Sequence, residues 1–165
     1  MRFDSIVRTL LENANQPITV KGYHGGGWSG DSLPLLRDGE FGTGVYFTSD
    51  YGVAKHYATD TEWHEIQGGK GKGKRKYIVE VEISFRNPFI VKKTNPNPFN
   101  VAQELGINPE RIEKAFERKG NAGSVIRLKG QNLGYDGMIL DYGDQHHYVV
   151  WSVSNVKVTN VEELS

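Results

Sequence analysis

The chemistry-bearing residues fall in three short blocks. The first is Tyr23-His24-Gly25-Gly26. A histidine ring followed by glycines pairs a hydrogen-bonding side chain with backbone N–H and C=O groups that nothing obstructs, a set able to grip a ribose hydroxyl and a carboxamide together. The same residues also describe a histidine beside an ordinary turn. The second block is Gly42-Thr43-Gly44-Val45-Tyr46-Phe47-Thr48, followed by Ala54-Lys55-His56-Tyr57-Ala58. Two aromatic rings, Tyr46 and Tyr57, can sandwich a flat heterocycle such as nicotinamide by stacking, or both can be ordinary core aromatics. The third runs from Gly134-Tyr135-Asp136-Gly137 to Gln145-His146-His147-Tyr148-Val149-Val150-Trp151. Alternation along a strand sets Gln145 and His147 on one face and His146 on the other. Adjacent strand histidines cannot both bind one metal, and no cysteine or nearby carboxylate pair completes a site, so no metal is expected.

The elements that position these blocks read as follows. Phe3, Ile6, Val7, Leu10 and Leu11 lie at helical spacing, predicting an N-terminal helix within residues 1–16. Ile18 to Tyr23 alternates as a strand that should end at the three glycines 25–27. A short helical piece is expected around Leu33 to Arg37, a strand over Gly44 to Phe47, and a helix capped by Asp50 and running to Ala58. Residues 67–76, QGGKGKGKRK, carry five positive charges and read as an exposed, flexible basic loop. Strands follow over Tyr77 to Phe85 and, briefly, Phe89 to Val91, then helices over residues 99–106 and 109–119, with Pro109 at a first helical position. The last third reads as strands over Tyr135 to Leu140, His147 to Trp151 and Val156 to Val161. The class is α+β with an antiparallel or split sheet.

Composition narrows the options. The 165 residues suit one domain rather than two. Charged residues make up 24% and hydrophobic residues 37%, which argues for a folded chain. There is no cysteine, which excludes disulfides, thiolate metal sites and cysteine nucleophiles. The formal net charge is zero, so attraction to nucleic acid must be local. No run approaches the roughly 20 apolar residues of a membrane span. The N-terminus has no signal-peptide pattern, and a cytoplasmic location is the expectation.

In order and spacing the three blocks resemble the ADP-ribosyltransferase superfamily, in particular its diphtheria-toxin and poly(ADP-ribose)-polymerase branch and related phage and bacterial toxin domains. That branch carries a His-Gly block, then Gly-x-Gly-x-Tyr-Phe with a second Tyr eleven residues on, then a Glu before Tyr-Val-Val. Here Gly42, Gly44, Tyr46 and Phe47 fall in register and Tyr57 follows at that step. The resemblance covers roughly residues 20–160. It implies a single domain over residues 1–165, with a split antiparallel sheet core flanked by short helices.

The resemblance also implies roles. NAD would be the substrate, without metal. His24 would bind the adenine-side ribose, Gly25 the carboxamide through its backbone, and Tyr46 and Tyr57, with Phe47 beside them, the nicotinamide. His24, Tyr46, Gln145 and His147 would form the catalytic set, Gln145 facing the acceptor. Where relatives carry a glutamate that stabilises the oxocarbenium-like transition state, this chain has His147. A neutral imidazole accepts a hydrogen bond but supplies no negative charge. Gly25-Gly26 and Ala54 replace a Thr or Ser and a Ser of some relatives. Three outcomes stay open: a mono-ADP-ribosyltransferase acting on a macromolecule in phage–host or bacterial conflict, active in the host cytoplasm; an NAD- or ADP-ribose-binding module; or a transferase that draws its carboxylate from elsewhere, such as Asp141 or Asp144. Lys70, Lys72, Lys74, Arg75 and Lys76 are candidates for contact with nucleic acid or an acidic protein. A nucleic-acid module built on that loop alone is the remaining alternative.

Overall fold

The computed structural model describes residues 17–27, 37–59 and 76–164. The expected N-terminal helix, the helical piece around Leu33 and the basic stretch 67–75 lie outside these residues. Eight strands and four helices are described: β1 (Ile18–Gly27), β2 (Arg37–Gly39), β3 (Gly42–Thr48), α1 (Tyr51–Thr59), β4 (Lys76–Phe85), β5 (Pro88–Ile90), α2 (Pro98–Leu105), α3 (Pro109–Lys119), α4 (Gly123–Asn132), β6 (Gly137–Asp141), β7 (His146–Val150) and β8 (Val156–Leu164). The strand order is β5-β6-β7-β3-β1-β4-β8, with β2 added along β3.

One joint in this sheet matters most. β1 and β4 pair over ten residues, from Ile18↔Phe85 to Gly27↔Lys76. β1 and β3 pair only at Tyr23↔Thr48. Beyond that pair the two strands part, so the sheet is two half-sheets hinged at one contact. The halves fold face to face. Val79, Val81, Ile83 and Phe85 of β4 are buried with Val45 and Phe47 of β3 and Tyr148 and Val150 of β7. Burying each such side chain contributes about 1.5–3 kcal/mol. Phe85 also meets Tyr148, ring centroids 6.4 Å apart. A Cβ on Gly137 would lie 2.6 Å from Phe85 Cε1, so that close approach demands the glycine. Asp136 fastens the same corner: its carboxylate accepts from the backbone N–H groups of Arg86 (2.7 Å) and Asn87 (3.1 Å) and from the Asn155 amide (2.9 Å).

The other face of the β5-β6-β7-β3 half is covered by α2, α3 and α4. Val101, Leu105, Ile112, Ala122 and Ile126 pack onto Met138, Leu140, Val149 and Trp151. Local signals start and stop two of these helices. Asn97 and Asn100 form a reciprocal cap around α2, and Asn108 caps α3 with Pro109 next in line. Gly106 and Gly120 end them at φ 77° and 76°, the left-handed turn that glycine enters without strain.

The α+β class with a split sheet is as the resemblance implied, with three corrections. The sheet is not wholly antiparallel, because β5 runs parallel to β6. β1 does not turn at Gly25; it continues through all three glycines, because β4 supplies ladder partners for each. Lys76 is not part of a loop but opens β4, paired with Gly27 and Leu164. In addition, β2 and α4 have no counterpart in the elements expected from sequence.

Candidate active site

His24 sits where β1 and β3 part. Its Nδ1 lies 2.9 Å from the Tyr46 carbonyl oxygen. A carbonyl only accepts, so Nδ1 carries a proton and donates to it. The imidazole thus bridges the splayed strands where a ladder bond would otherwise run. Phe47 backs the ring edge-on at 6.1 Å. Phe47 itself is only 3% exposed and belongs to the core, so its part in the site is to hold His24.

α1 closes over β1 beside this histidine. Asp50 accepts from the Val53 N–H at 2.9 Å and starts the helix. Ala54 is fully buried against the strand. A Cβ on Gly25 would overlap the Ala54 carbonyl oxygen and come within 2.6 Å of its carbon. Gly25 is therefore what lets α1 approach, and α1 carries the half-buried Tyr57, whose ring lies 6.2 Å from that of His56.

Tyr46 is held from the opposite side. Its hydroxyl donates to the Gly42 carbonyl at 2.6 Å and accepts from the Phe41 N–H at 3.2 Å. One flank of the ring lies on Gly39, where a Cβ would fall 2.5 Å from Cζ. The β2–β3 hairpin is braced in turn by α4, where a Cβ on Gly123 would come 2.7 Å from Gly42 N and Arg127 donates to the Thr43 carbonyl, and by Trp151 after β7, whose Nε1 donates to Phe41 O at 3.0 Å.

Across the sheet from His24 runs a polar chain. Thr48 Oγ1 donates to Gln145 Oε1 at 2.8 Å, and His147 Nε2 meets the same oxygen at 3.1 Å. Thr48 and His147 are cross-strand partners of β3 and β7, so their side chains share a face. The ring of His147 lies 4.4 Å from that of Tyr142. Burial, with His146 beside it, holds the His147 pKa below the ordinary value of 6.5. His146 is likewise lowered by burial, with Asp141 opposing. The Tyr142 phenol is pushed up to about 12, first by burial, then by the charge of Glu40 and by Tyr57. Glu40 stands at the exposed tip of the β2–β3 hairpin.

The structure therefore brings Gln145 and His147 together, with Thr48 and Tyr142 as members that sequence reasoning missed. Thr48 closes the second block but was given no role there, and Tyr142 follows the strand paired with β7 and lies outside every block read from sequence. Glu40 was missed as well; it is the carboxylate whose charge acts on Tyr142. Asp141 instead accepts from Gly143 N–H in its own turn at 2.8 Å. Among the described residues no cluster of three metal-ligating side chains is present, and no helix is long and apolar enough to cross a membrane.

The sequence matches no curated protein. Among solved structures, the chain resembles one from the M. tuberculosis MbcT–MbcA toxin–antitoxin complex, with a TM-score of 0.54 over 98% of this chain and 93% of that one at 8% identity. A weaker match is an anti-CRISPR protein, at a TM-score of 0.40 and 16% identity over 89% of this chain and 96% of that one. The first likeness shows a shared fold. The family model described as ADP-ribosyltransferase in polyvalent proteins matches residues 15–163. With a split sheet, a histidine at its parting and a family match over nearly its whole length, the chain belongs to the ADP-ribosyltransferase domains of polyvalent proteins.

Proposed function

We propose that the chain is a mono-ADP-ribosyltransferase that moves ADP-ribose from NAD to a macromolecular acceptor and releases nicotinamide. The observation that carries this reading is the His24 ring set across the parting of β1 and β3 and fixed there by its Nδ1 on Tyr46 O, which supports a place for it against the ribose. Gly25 offers its backbone to the carboxamide, while Tyr46 and Tyr57 flank the nicotinamide. The bond from C1′ to the nicotinamide nitrogen breaks with its electron pair going to nicotinamide. The acceptor's nucleophilic atom then bonds C1′ and gives up a proton. Positive charge grows on the ribose in between, as in glycoside hydrolysis.

His147 cannot stabilise that charge, because burial keeps its imidazole neutral. We assign it, with Gln145 and Thr48, to holding ribose and acceptor in place. Glu40 is the carboxylate whose charge helps raise the Tyr142 pKa, and we assign it a role in offsetting the ribose charge. A second reading, NAD or ADP-ribose binding without turnover, is favoured by the same neutral His147. Incubation with biotinylated NAD and host lysate separates the two: label on a protein or nucleic acid supports transfer, while calorimetric NAD binding without any label supports the binding module. We place the protein in bacterial or phage conflict on the strength of its toxin-like fold.

A further inference from the structure

The charges of α3 are sorted by face. Arg111, Lys114 and Arg118 recur at helical spacing and form one stripe, while Glu110, Glu113 and Glu117 form another, displaced by one residue, which is about 100° around the axis. The basic stripe, extended by Lys119, opens onto the first turn of α4. Together with Ser124 and Val125 these four cations line a pocket of about 310 Å³, and none of the three glutamates enters its lining. All four cations are exposed, and none is ion-paired among the described residues.

The α4 end of the pocket is an open helix terminus. The residue ahead of the helix, Ala122, offers no side-chain cap, and Asn121 satisfies only the Gly123 N–H, at 3.0 Å. The Ser124 and Val125 N–H groups have no acceptor among the described residues. These donors and the positive end of the helix dipole both favour an anion. Lysine and arginine heads, a serine hydroxyl and helix-terminal amides are the donor set that holds phosphodiester oxygens. From Arg111 to Arg118 the stripe extends about 10 Å along the helix, a length that suits a row of phosphates better than one.

From this arrangement we infer that the α3–α4 pocket is a docking site for the phosphodiester backbone of a nucleic acid. The net charge of the chain is zero, so this sorting of charge, not a global field, provides the attraction. The site is separate from the proposed NAD cleft but joined to it mechanically, since Gly123 of α4 packs against the hairpin that holds Tyr46. Binding needs no turnover; only the further role of the bound strand as acceptor rests on the transferase reading.

The test is fluorescence anisotropy of a labelled single-stranded oligonucleotide, RNA and DNA in turn, titrated with the full chain from low to physiological salt. Three variants serve: Arg111→Gln with Lys114→Gln and Arg118→Gln; Ser124→Glu, which sets a negative charge at the open amides; and Lys70→Gln with Lys72→Gln, Lys74→Gln and Arg75→Gln. The wild type is expected to bind with affinity that falls as salt rises. With about 0.7 of slope per phosphate contacted on a single strand, the α3 variant should lower the log–log salt slope by about 2 and weaken low-salt binding at least tenfold. Ser124→Glu should weaken it too, with unchanged thermal melting. The inference is overturned by absence of binding at low salt, by an α3 variant that keeps the wild-type slope, by loss of binding confined to the 70–75 variant, or by a polyglutamate peptide that binds the pocket more tightly than the oligonucleotide.

Discussion

Gly25 and Gly26 are neighbours on one strand, and the structure gives them opposite tolerances. A methyl group on Gly25 would overlap the Ala54 carbonyl oxygen and lie 2.6 Å from its carbon, against the 3.4 Å at which ordinary contact begins. Backbone cannot swing aside as a side chain can, so α1 must back away from β1 by about 1 Å or more. Overpacking of this kind costs about 1–3 kcal/mol. For a chain of this size that lowers the melting temperature by about 2–4 °C per kcal/mol, so Gly25→Ala should melt roughly 2–12 °C early. Tyr57 rides on the displaced helix, and a shift of about 1 Å in a positioning element weakens function by about 10²-fold. On Gly26 the nearest atom to the same methyl is His24 Nε2 at 3.6 Å, an ordinary contact. Gly26→Ala should melt within about 2 °C of wild type, since a substitution away from any special feature stays within about 0.5 kcal/mol. Differential scanning fluorimetry and calorimetric NAD titration read both effects. If the two variants melt alike, or if Gly25→Ala binds NAD as tightly as wild type, the account of α1 seated on Gly25 is wrong.

Three further outcomes are expected. His147→Glu supplies the missing charge once the Gln145 amide turns its nitrogen toward the new carboxylate; one placed electrostatic group is worth about 10²–10³ in rate, so nicotinamide release should rise by about 10²-fold, whereas NAD binding with no gain would favour the binding module. Glu40→Gln should cut nicotinamide release about tenfold, a smaller loss than a fully placed group because the carboxylate is exposed, and leave the melting temperature unchanged; equal rates would remove Glu40 from the site. Stability should fall with acidity: His146 and His147 have folded-state pKa values below 6.5, so the unfolded chain binds protons first, stability is complete above about pH 6.5, and it drains away as pH drops through the lowered values. A melting temperature that holds level from pH 7.5 to 5, or a His147→Gln variant with the wild-type profile, would contradict this.

Much of the fold was legible because its signals are local. Asp50 before α1, Asn108-Pro109 before α3 and the alternation of Tyr77 to Phe85 each carry their own cause. α4 was not legible, because its glycines read as helix breakers while their reason is tertiary. A Cβ on Gly123 would strike the β2–β3 hairpin, and one on Gly130 would come 2.8 Å from Trp151 Cζ3. The glycines after His24 misled in the same way: they suggested a turn, and the first of them, Gly25, marks instead the place where a helix backbone presses on a strand. Within the site, the histidine and tyrosine blocks were visible as types and spacing. The parts of Thr48 and Tyr142 were not, since what brings them to His147 is the pairing of β3 with β7 and of β7 with β6, a long-range register that no short window contains; Glu40 was hidden because it sits at a hairpin tip far from Tyr142 in sequence.

The most direct measurement of the central claim is nicotinamide released from NAD by the purified protein, with and without host lysate, beside His24→Ala. The account predicts release by the wild type, stimulated by a macromolecular acceptor in the lysate, and loss of that release in His24→Ala, which should still fold and melt only about 2–4 °C early for the lost hydrogen bond to Tyr46 O. A wild-type protein that releases no nicotinamide under either condition, or a His24→Ala variant that releases it at the wild-type rate, would contradict the account.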